Sequence, residues 1–324
     1  IKSAIQYGSV QVGTTEINIY DVTVSDRVMM RRNRVGIQQL IRRIMLDYTS
    51  AFIIFHYEDS DSWDWRFSFC QKDNKEVTEA KRYTFLLGPG QSCRTAADNF
   101  QKLIDKRGEI NREDIVKAFD VEALSKEFFE KYKAQYEKFC NYIYDNCDDE
   151  SLFGKEFAEW DEKLIRDYVK KLLGRIVFLH FLQKKGWLGV PFGKEWGEGD
   201  IQFMKHLFEA STQEQKENYL DCVLEPLFAG ALNTQRPNDI FDLNVDGYRT
   251  TRIPYLNGGL FERDALDEPK STFPASYFEE LFEFFYQYNF TIDENDPNDA
   301  EVGIDPEMLG HIFENLLEDN KDKG

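Results

Sequence analysis

The stretch Asp299–Gly324, DAEVGIDPEMLGHIFENLLEDNKDKG, carries one of the clearest helix signals in the chain. Asp305 is a residue type that caps helices by accepting from free backbone N–H groups, and Pro306 suits the first helical position, where its missing donor costs nothing. Three apolar pairs then recur four residues apart and form one stripe: Met308/Leu309, Ile312/Phe313 and Leu316/Leu317. A wholly polar, Gly-terminated tail follows. The stretch predicts a core helix that ends at a domain boundary.

The composition predicts a folded protein in a reducing compartment. Of the 324 residues 42% are hydrophobic, with many Phe and Tyr, so the chain can bury a sizeable core. No apolar run approaches the roughly 20 residues of a membrane span, and no export signal is visible. The five cysteines form no CxxC pair, which favours free thiols over a zinc site or a disulfide framework. We therefore expect a cytoplasmic protein without a membrane partner.

The charge is distributed unevenly along the chain. The formal net charge of −19, taken alone, argues against a nucleic-acid partner. Residues 1–108, however, carry 16 Lys and Arg against 13 Asp and Glu, a net of +3, whereas residues 109–324 carry 24 against 46, a net of −22. Halves this different predict two modules with different electrostatic roles.

Residues 1–108 are predicted to form a small α+β domain. EINIYDVTVS (Glu16–Ser25) is typical of a strand, and apolar residues on one face predict a helix from about Val35 to Tyr48. AFIIFHY (Ala51–Tyr57) is a continuous apolar run, as expected of a strand buried on both faces. Further strands are expected at Trp65–Cys70 and Arg82–Leu87. This order of strand, helix, strand and two more strands indicates a mixed domain that closes near Gly108.

Residues 109–324 are predicted to be mainly α-helical. Apolar residues step by three and four along a long amphipathic helix from Val121 to Ile143. IVFLHFL (Ile176–Leu182) is apolar nearly all round, which predicts a helix at the centre of a bundle. The predicted fold class is therefore α+β, with a small mixed domain over 1–108 followed by a helical domain over 109–324.

Several stretches resemble type IIG restriction-modification enzymes. IDPEMLGHIFENLLEDNKDKG (Ile304–Gly324) is similar to the segment that precedes the adenine methyltransferase domain in that family. RNRVGIQQLIR, WRFSF and KRYTFLLGPGQSCRTA look like their counterparts there. The resemblance implies an enzyme that cleaves and methylates double-stranded DNA, with S-adenosylmethionine and Mg²⁺ as cofactors of the full-length protein. It also implies that a methyltransferase domain follows this chain and that the helical domain is its connector.

The methyltransferase motifs themselves are missing from the sequence. An adenine methyltransferase needs a Gly-rich turn after a strand to seat its cofactor and a Pro-Pro-aromatic turn to hold the adenine amino group. No Pro-Pro pair occurs in the chain. LLGPGQ (Leu86–Gln91) resembles a glycine loop, but Pro89 removes a backbone donor. We expect this stretch to be a turn and expect no cofactor in this portion of the enzyme.

The resemblance also implies an N-terminal nuclease domain of the PD-(D/E)XK kind, whose core has the order strand–strand–helix–strand. That chemistry needs two carboxylates to hold Mg²⁺ and a Lys two residues after the second. Asp21 is the candidate metal ligand, but Thr23 stands where the Lys is needed. Gln38 or Gln39 could orient the attacking water, although surface Gln is common on helices. We expect no catalytic residue here, and a degenerate PD-(D/E)XK-like core is favoured over an active nuclease.

An arginine cluster in DRVMMRRNRVGIQQLIRRI (Asp26–Ile44) is the candidate DNA-contacting site. Arg binds phosphate through a rigid fork of donors, and several arginines around a helix start suit a DNA backbone. The candidates are Arg27, Arg31, Arg32, Arg34, Arg42 and Arg43, with Lys81, Arg82 and Arg94 as secondary candidates. The same cations could instead pair with the acidic helical module and hold the two domains together. The sequence leaves both interpretations open.

Two further features are predicted to be structural. His56 and His180 lie in apolar stretches and are expected to be hydrogen-bonded core residues. PYLNGGLFE (Pro254–Glu262) has a Gly pair that permits a tight turn and a Tyr that could stack on a base, but a packed loop is the favoured interpretation.

The sequence thus predicts the N-terminal and connector region of a type IIG-like enzyme. Its task would be to position nuclease-like and methyltransferase modules on DNA without catalysing either reaction itself. The alternative is a non-catalytic scaffold module that binds DNA or a protein.

Overall fold

The computed structural model describes residues 1–26, 34–46, 48–58, 64–72, 80–256, 258–291 and 299–310. The fold is α+β, as the sequence predicts. The chain divides into two compact units, the first made of Ile1–Glu127 and Gln287–Leu309 and the second built around Phe128–Tyr286. The first unit is thus larger than the predicted domain over 1–108, because it also takes up later helices and a segment from near the end of the chain.

All the described strands except Ile240–Phe241 and Thr251–Arg252 lie in the first unit. In chain order the strands are β1 (Ser3–Val12), β2 (Thr15–Val24), β3 (Ser50–Tyr57), β4 (Trp65–Gln71), β5 (Lys81–Leu87), β6 (Ile240–Phe241), β7 (Thr251–Arg252) and β8 (Asp299–Glu301). One sheet has the order β1-β2-β3-β4-β5-β8, and β6 and β7 form a separate pair. The pairs β2/β3 and β5/β8 are parallel, whereas the other neighbours in the large sheet are antiparallel.

Helices fill most of the rest. They are α1 (Arg34–Ile44), α2 (Arg94–Asp105), α3 (Arg112–Ala118), α4 (Val121–Asn146), α5 (Glu156–Glu159), α6 (Glu162–Lys184), α7 (Phe203–Ala210), α8 (Gln213–Glu217) and α9 (Ala275–Tyr286). Leu220–Leu224 and Pro226–Leu232 are π-helical, and short 3₁₀ turns lie at Pro237–Asp239, Gly259–Phe261 and Ala265–Asp267. None of the helices within the described ranges is both long and apolar enough to cross a membrane.

Helix α1 covers one face of the sheet. It connects the parallel strands β2 and β3, which need a crossover of this kind. Its inward side chains Ile37 and Ile41 are 4% and 3% exposed and pack in one core with Val22 and Phe55. Because side chains alternate along a strand, the neighbouring Asp21 and His56 lie on the opposite face.

The opposite face of the sheet packs against α2 and the end of α3 through aromatic side chains. Phe67 of β4 and Phe85 of β5 contact Phe100 of α2, with ring centroids 5.6 Å apart in both pairs. Phe119, directly after α3, lies 4.9 Å from Phe85, centroid to centroid. Rings that bury this much apolar area account for a large part of a core's stability. The sheet therefore has a helix layer on each face.

Residues 299–301, near the end of the chain, add the last strand to this sheet. Strand β8 pairs with β5, and Glu301 of β8 forms an ion pair with Arg66 of β4, with Nη1 and Oε2 3.1 Å apart. Both side chains are buried, at 2% and 6% exposure. The N-terminal signal of the closing helix is confirmed, because Asp305 accepts a 2.7 Å hydrogen bond from the Met308 backbone N–H and residues 306–310 are helical. The rest of its predicted stripe, from residue 311, lies outside the described residues.

The second unit is organised around α6. The predicted central position of Ile176–Leu182 is confirmed, since Ile176, Val177 and Leu179 are all 0% exposed. His180 is buried, and its Nδ1 lies 3.1 Å from the Ile176 carbonyl oxygen, as expected of a core histidine.

PYLNGGLFE (Pro254–Glu262) is a packed loop in its described part. Phe261 is 1% exposed, and the carbonyls of Leu260 and Glu262 accept hydrogen bonds of 2.7 and 2.9 Å from the Arg175 guanidinium of α6. The favoured interpretation of this stretch is therefore confirmed.

Candidate nucleic-acid interface

The outward face of α1 is polar and carries no negative charge. Gln38, Gln39, Arg42 and Arg43 are all exposed, and the helix sequence RVGIQQLIRRI contains no acidic residue. Arg42 and Arg43 lie in the last turn, where a cation also interacts favourably with the carbonyl end of the helix dipole. In a chain of net charge −19, this face is a local cationic surface, and we refer to these four residues as the α1 outer face.

Lys81 lies at the same end of the sheet as the last turn of α1. The helix ends six residues before Ser50 opens β3, and Ser50 pairs with Gln71, which pairs with Lys81. Two strand spacings, about 10 Å, thus separate the positions of Ser50 and Lys81. Lys81 is exposed, but strand alternation directs it to the sheet face away from α1. It lies on the other side of the sheet from α1 and does not belong to the α1 outer face.

Four of the arginine candidates are not described at the level of side chains. Arg27, Arg31 and Arg32 lie outside the described residues, and only the backbone of Arg34, which begins α1, is described. Their predicted contact with DNA stays a prediction.

Arg82 and Arg94 have positions that favour internal roles. Arg82 is 3% exposed in β5, and a guanidinium this deeply buried is not placed to contact a phosphate. Arg94 lies 3.5 Å from Asp98 and 3.3 Å from Glu127, and it also donates to Gln287. All three partners belong to the first unit, as Arg94 does. Arg94 is therefore paired inside the protein, but with residues of its own unit and not with the second unit.

Asp21, the candidate metal ligand, pairs with a histidine. His56 Nε2 lies 2.9 Å from Asp21 Oδ1, and His56 Nδ1 lies 2.6 Å from the Tyr57 carbonyl oxygen. Partial burial alone would lower the pKa of His56, but the hydrogen bonds to Asp21 and Tyr57 and the charge of Asp21 outweigh burial and raise it. Each ring nitrogen thus has an oxygen within hydrogen-bond distance, an arrangement that favours the protonated form of the imidazole.

Asp21 has no cluster of further ligands around it in the described part of the chain. There, no group of three or more His, Cys, Asp or Glu side chains is placed to hold a metal ion. Asp21 thus contacts His56, with which it forms an ion pair when the ring is protonated, and the second carboxylate that a PD-(D/E)XK site requires is not found near it among these residues.

The Asp21–His56 pair predicts a pH-dependent contribution to stability. Because the folded pKa of His56 is raised, the pair's contribution is fully present below about pH 6.5, the pKa of an unfolded His, and is lost as the pH rises through the folded pKa. Asp21 is 41% exposed, so we expect about 1 kcal/mol or less. Chemical unfolding of the wild type and Asp21→Asn at pH 5.5 and 8.5 should give a larger difference at the lower pH. A difference that is independent of pH would contradict the assignment.

Sequence reasoning missed two partners near these sites. His56 lies 35 residues after Asp21, and nothing local to either residue indicates that β2 and β3 are parallel neighbours. Arg112 of α3 donates to the Gln71 side chain and the Lys72 carbonyl at 3.1 and 3.0 Å, which fixes the end of the sheet near Lys81. The sequence identified His56 only as an expected hydrogen-bonded core residue, whereas its side chain is 25% exposed and pairs with Asp21, and no pattern singled out Arg112.

Comparisons with known proteins connect the chain to restriction-modification. Over 175 residues it is 29% identical to a protein of Methanocaldococcus jannaschii described as "Putative type II restriction enzyme and methyltransferase RM.MjaORFECS2P". The match covers 52% of this chain and 13% of that protein, so the chain spans a small part of its relative's length. No protein-family profile matches the chain. No solved structure matches it either. The chain is thus related in sequence to a restriction-modification protein.

Proposed function

We propose that this chain is the non-catalytic, DNA-contacting portion of a type IIG-like restriction-modification enzyme, and that the α1 outer face contacts the backbone of double-stranded DNA. The observation that carries the proposal is the exposed Arg42–Arg43 pair on a helix without acidic residues, in a chain related to a restriction-modification protein. Arginines at such a position bind phosphate oxygens and fix the orientation of the protein without reading bases.

The geometry of α1 suits this role. Its inward face is anchored by Ile37 and Ile41 in the core of the first unit, so the outer face is presented by a rigid element. From Arg34 to Arg43 the helix axis advances about 13 Å, a length over which several phosphates of one strand can be contacted. Gln38 and Gln39, between the two ends, can donate hydrogen bonds to phosphate oxygens.

In this proposal the catalytic steps belong to other parts of the enzyme. A methyltransferase domain that follows residue 324 would hold S-adenosylmethionine, and Mg²⁺ would serve the nuclease reaction of the full-length protein. The chain described here would position such modules on the duplex. The support is the type IIG-like sequence of Ile304–Gly324 and the relation of the chain to a restriction-modification protein.

Binding of a fluorescent duplex tests the proposal. We expect the double variant Arg42→Ala/Arg43→Ala to weaken binding by about tenfold at low salt, whatever the DNA sequence, because two phosphate contacts are lost. The matched control is Lys155→Ala/Lys194→Ala, which removes two cations whose side chains are 78% and 59% exposed in the second unit. It should bind as the wild type does.

The alternative scaffold function makes a different prediction. If the chain binds only a protein, the wild type should show no salt-dependent affinity for duplex DNA, and the arginine variant should equal the wild type. Cleavage of plasmid DNA by the chain with Mg²⁺, abolished by Asp21→Asn, would contradict the non-catalytic assignment.

A further inference from the structure

The outer strand of the sheet is unusually apolar and uncharged on its exposed side. Within the described residues, β1 has a strand neighbour on one side only, and its ten residues, SAIQYGSVQV, include no charged residue and no proline. Soluble proteins ordinarily protect a long edge strand with charges, prolines or a covering element, because its free backbone groups pair readily with another strand. At the other edge, β8 has only three residues, which is itself a form of protection.

Exposed apolar side chains are concentrated at this edge. Among the described residues nine large hydrophobic side chains are exposed, and four of them lie in the first ten residues: Ile1, Ile5, Tyr7 and Val10, at 55%, 61%, 82% and 40% exposure. Single exposed apolar side chains need no explanation, whereas a concentration of them marks an interaction surface.

A bulge aligns two of these side chains. Ile5 pairs with Asp21 and Val10 pairs with Ile17 across the β1/β2 ladder, and the register shifts between Gln6 and Gly8. Asp21 and Ile17 are four residues apart, so they share a face, and their partners Ile5 and Val10 share it too. Without the bulge, an odd spacing of five would place them on opposite faces. The bulge thus produces an apolar stripe on the sheet face away from α1.

We propose that β1 is the dimerisation strand of this protein, and that it pairs antiparallel with β1 of a second copy about a two-fold axis. A two-fold pairing brings each strand against itself, so any charge on β1 would be placed close to its own copy. The absence of charge makes this strand compatible with its own copy and offers nothing to a charged partner such as DNA or an acidic or basic peptide.

The charge distribution favours the same approach. Residues 1–108 carry a net charge of +3, whereas residues 109–324 carry −22. Two copies that meet through the N-terminal strand bring together nearly neutral segments, and so avoid the repulsion that an interface in the acidic part of the chain would cause. In the pair the sheet continues through both copies, and the Ile5–Val10 stripes extend each other across the axis.

Sedimentation velocity over a range of protein concentrations, without DNA, tests the proposal. The wild type should reach twice the monomer mass of 38.1 kDa, and Ile5→Lys/Val10→Lys should stay at the monomer mass. The matched control Leu46→Lys/Ile104→Lys changes two exposed apolar residues elsewhere, at 68% and 65% exposure, and should dimerise as the wild type does.

Two results would overturn the proposal: a wild type that stays monomeric at every concentration, or a β1 double variant that dimerises as tightly as the wild type. Hydrogen exchange supplies a second readout that does not depend on the variants. Amides of Ser3–Val12 should become more protected as the wild-type concentration rises, and unchanged protection would count against pairing through this strand. Both readouts are independent of DNA binding, so their outcome leaves the proposed function untouched.

Discussion

Replacing Asp267 by Ala should destabilise the second unit by about 3–5 kcal/mol, because the change leaves a buried guanidinium without its counter-charge. Arg175 of α6 and Asp267 are 2% and 3% exposed, and their side chains form a two-pronged pair, with Nη1–Oδ1 2.7 Å and Nη2–Oδ2 3.0 Å. Lys171 of the same helix lies 2.6 Å from Asp267. The carboxylate thus compensates two cations and holds the loop at residues 260–267 on the central helix.

Chemical unfolding of both proteins measures this effect. The control is Asp246→Ala, which removes a carboxylate that is 93% exposed and 3.5 Å from Arg249, and it should cost less than about 1 kcal/mol. The double variant Arg175→Met/Asp267→Leu should recover part of the loss, because the buried guanidinium is then absent and Lys171 keeps its ion pair with Asp264, 2.7 Å away. A loss for Asp267→Ala as small as that of the control would contradict the account.

The same carboxylate predicts an acid-dependent stability. Burial alone would raise the pKa of Asp267, but the hydrogen bonds from Arg175 and Lys171 outweigh burial and lower it. Since the folded pKa is lowered, the contribution is fully present above about pH 4, the pKa of an unfolded Asp, and is lost as the pH falls through the folded value. The difference between the wild type and Asp267→Asn should therefore narrow below pH 4.

Replacing Glu301 by Gln should destabilise the first unit by about 3 kcal/mol or more and release β8 from the sheet. Gln has no charge to compensate Arg66, which stays buried at 2% exposure. The backbone N–H of Val302 donates to the Thr84 carbonyl at 2.8 Å, and that of Ile304 donates to the Asn289 carbonyl at 2.7 Å. Hydrogen exchange at Val302 and Ile304 should accelerate more than exchange in β3.

The control for this prediction is Glu307→Gln, an exposed acidic residue close to Glu301 in the chain. We expect its effect to stay below about 1 kcal/mol. Unchanged exchange at Val302 and Ile304 in Glu301→Gln would mean that the ion pair with Arg66 does not hold β8 in place. In the proposed enzyme this pair would hold the segment that precedes the closing helix in the DNA-contacting unit.

The sequence predicted the elements that neighbouring residues determine, such as an amphipathic helix or a helix cap. Helix α1 was predicted because Ile37, Leu40, Ile41 and Ile44 share one face, and the N-terminal cap at Asp305 followed from residue type alone. Strand β1 was missed because the bulge after Gln6 breaks the alternation of two on which strand patterns depend. Strand β8 was missed because three residues, DAE, carry no pattern, and its partner β5 lies more than 200 residues earlier.

The candidate site was predicted only in part, because local sequence patterns show neither the burial of a side chain nor its distant partners. Residue type and clustering identified Arg42 and Arg43, and the 3.6-residue period of α1 places them on the face opposite Ile37 and Ile41. Burial cannot be inferred from residue type, so the sequence did not separate buried Arg82 from exposed Lys81, its neighbour in β5. Pairings between distant strands, such as Asp21 with His56, depend on the topology of the sheet, which no local pattern specifies.

The salt dependence of duplex binding tests the central proposal most directly. Each phosphate contact contributes about 0.9 to the slope of log affinity against log salt concentration. We expect a clearly negative slope for the wild type, a slope shallower by roughly 1.8 for Arg42→Ala/Arg43→Ala, and the wild-type slope for Lys155→Ala/Lys194→Ala. Identical slopes for the wild type and the arginine variant would contradict the assignment of the α1 outer face as the DNA-contacting surface.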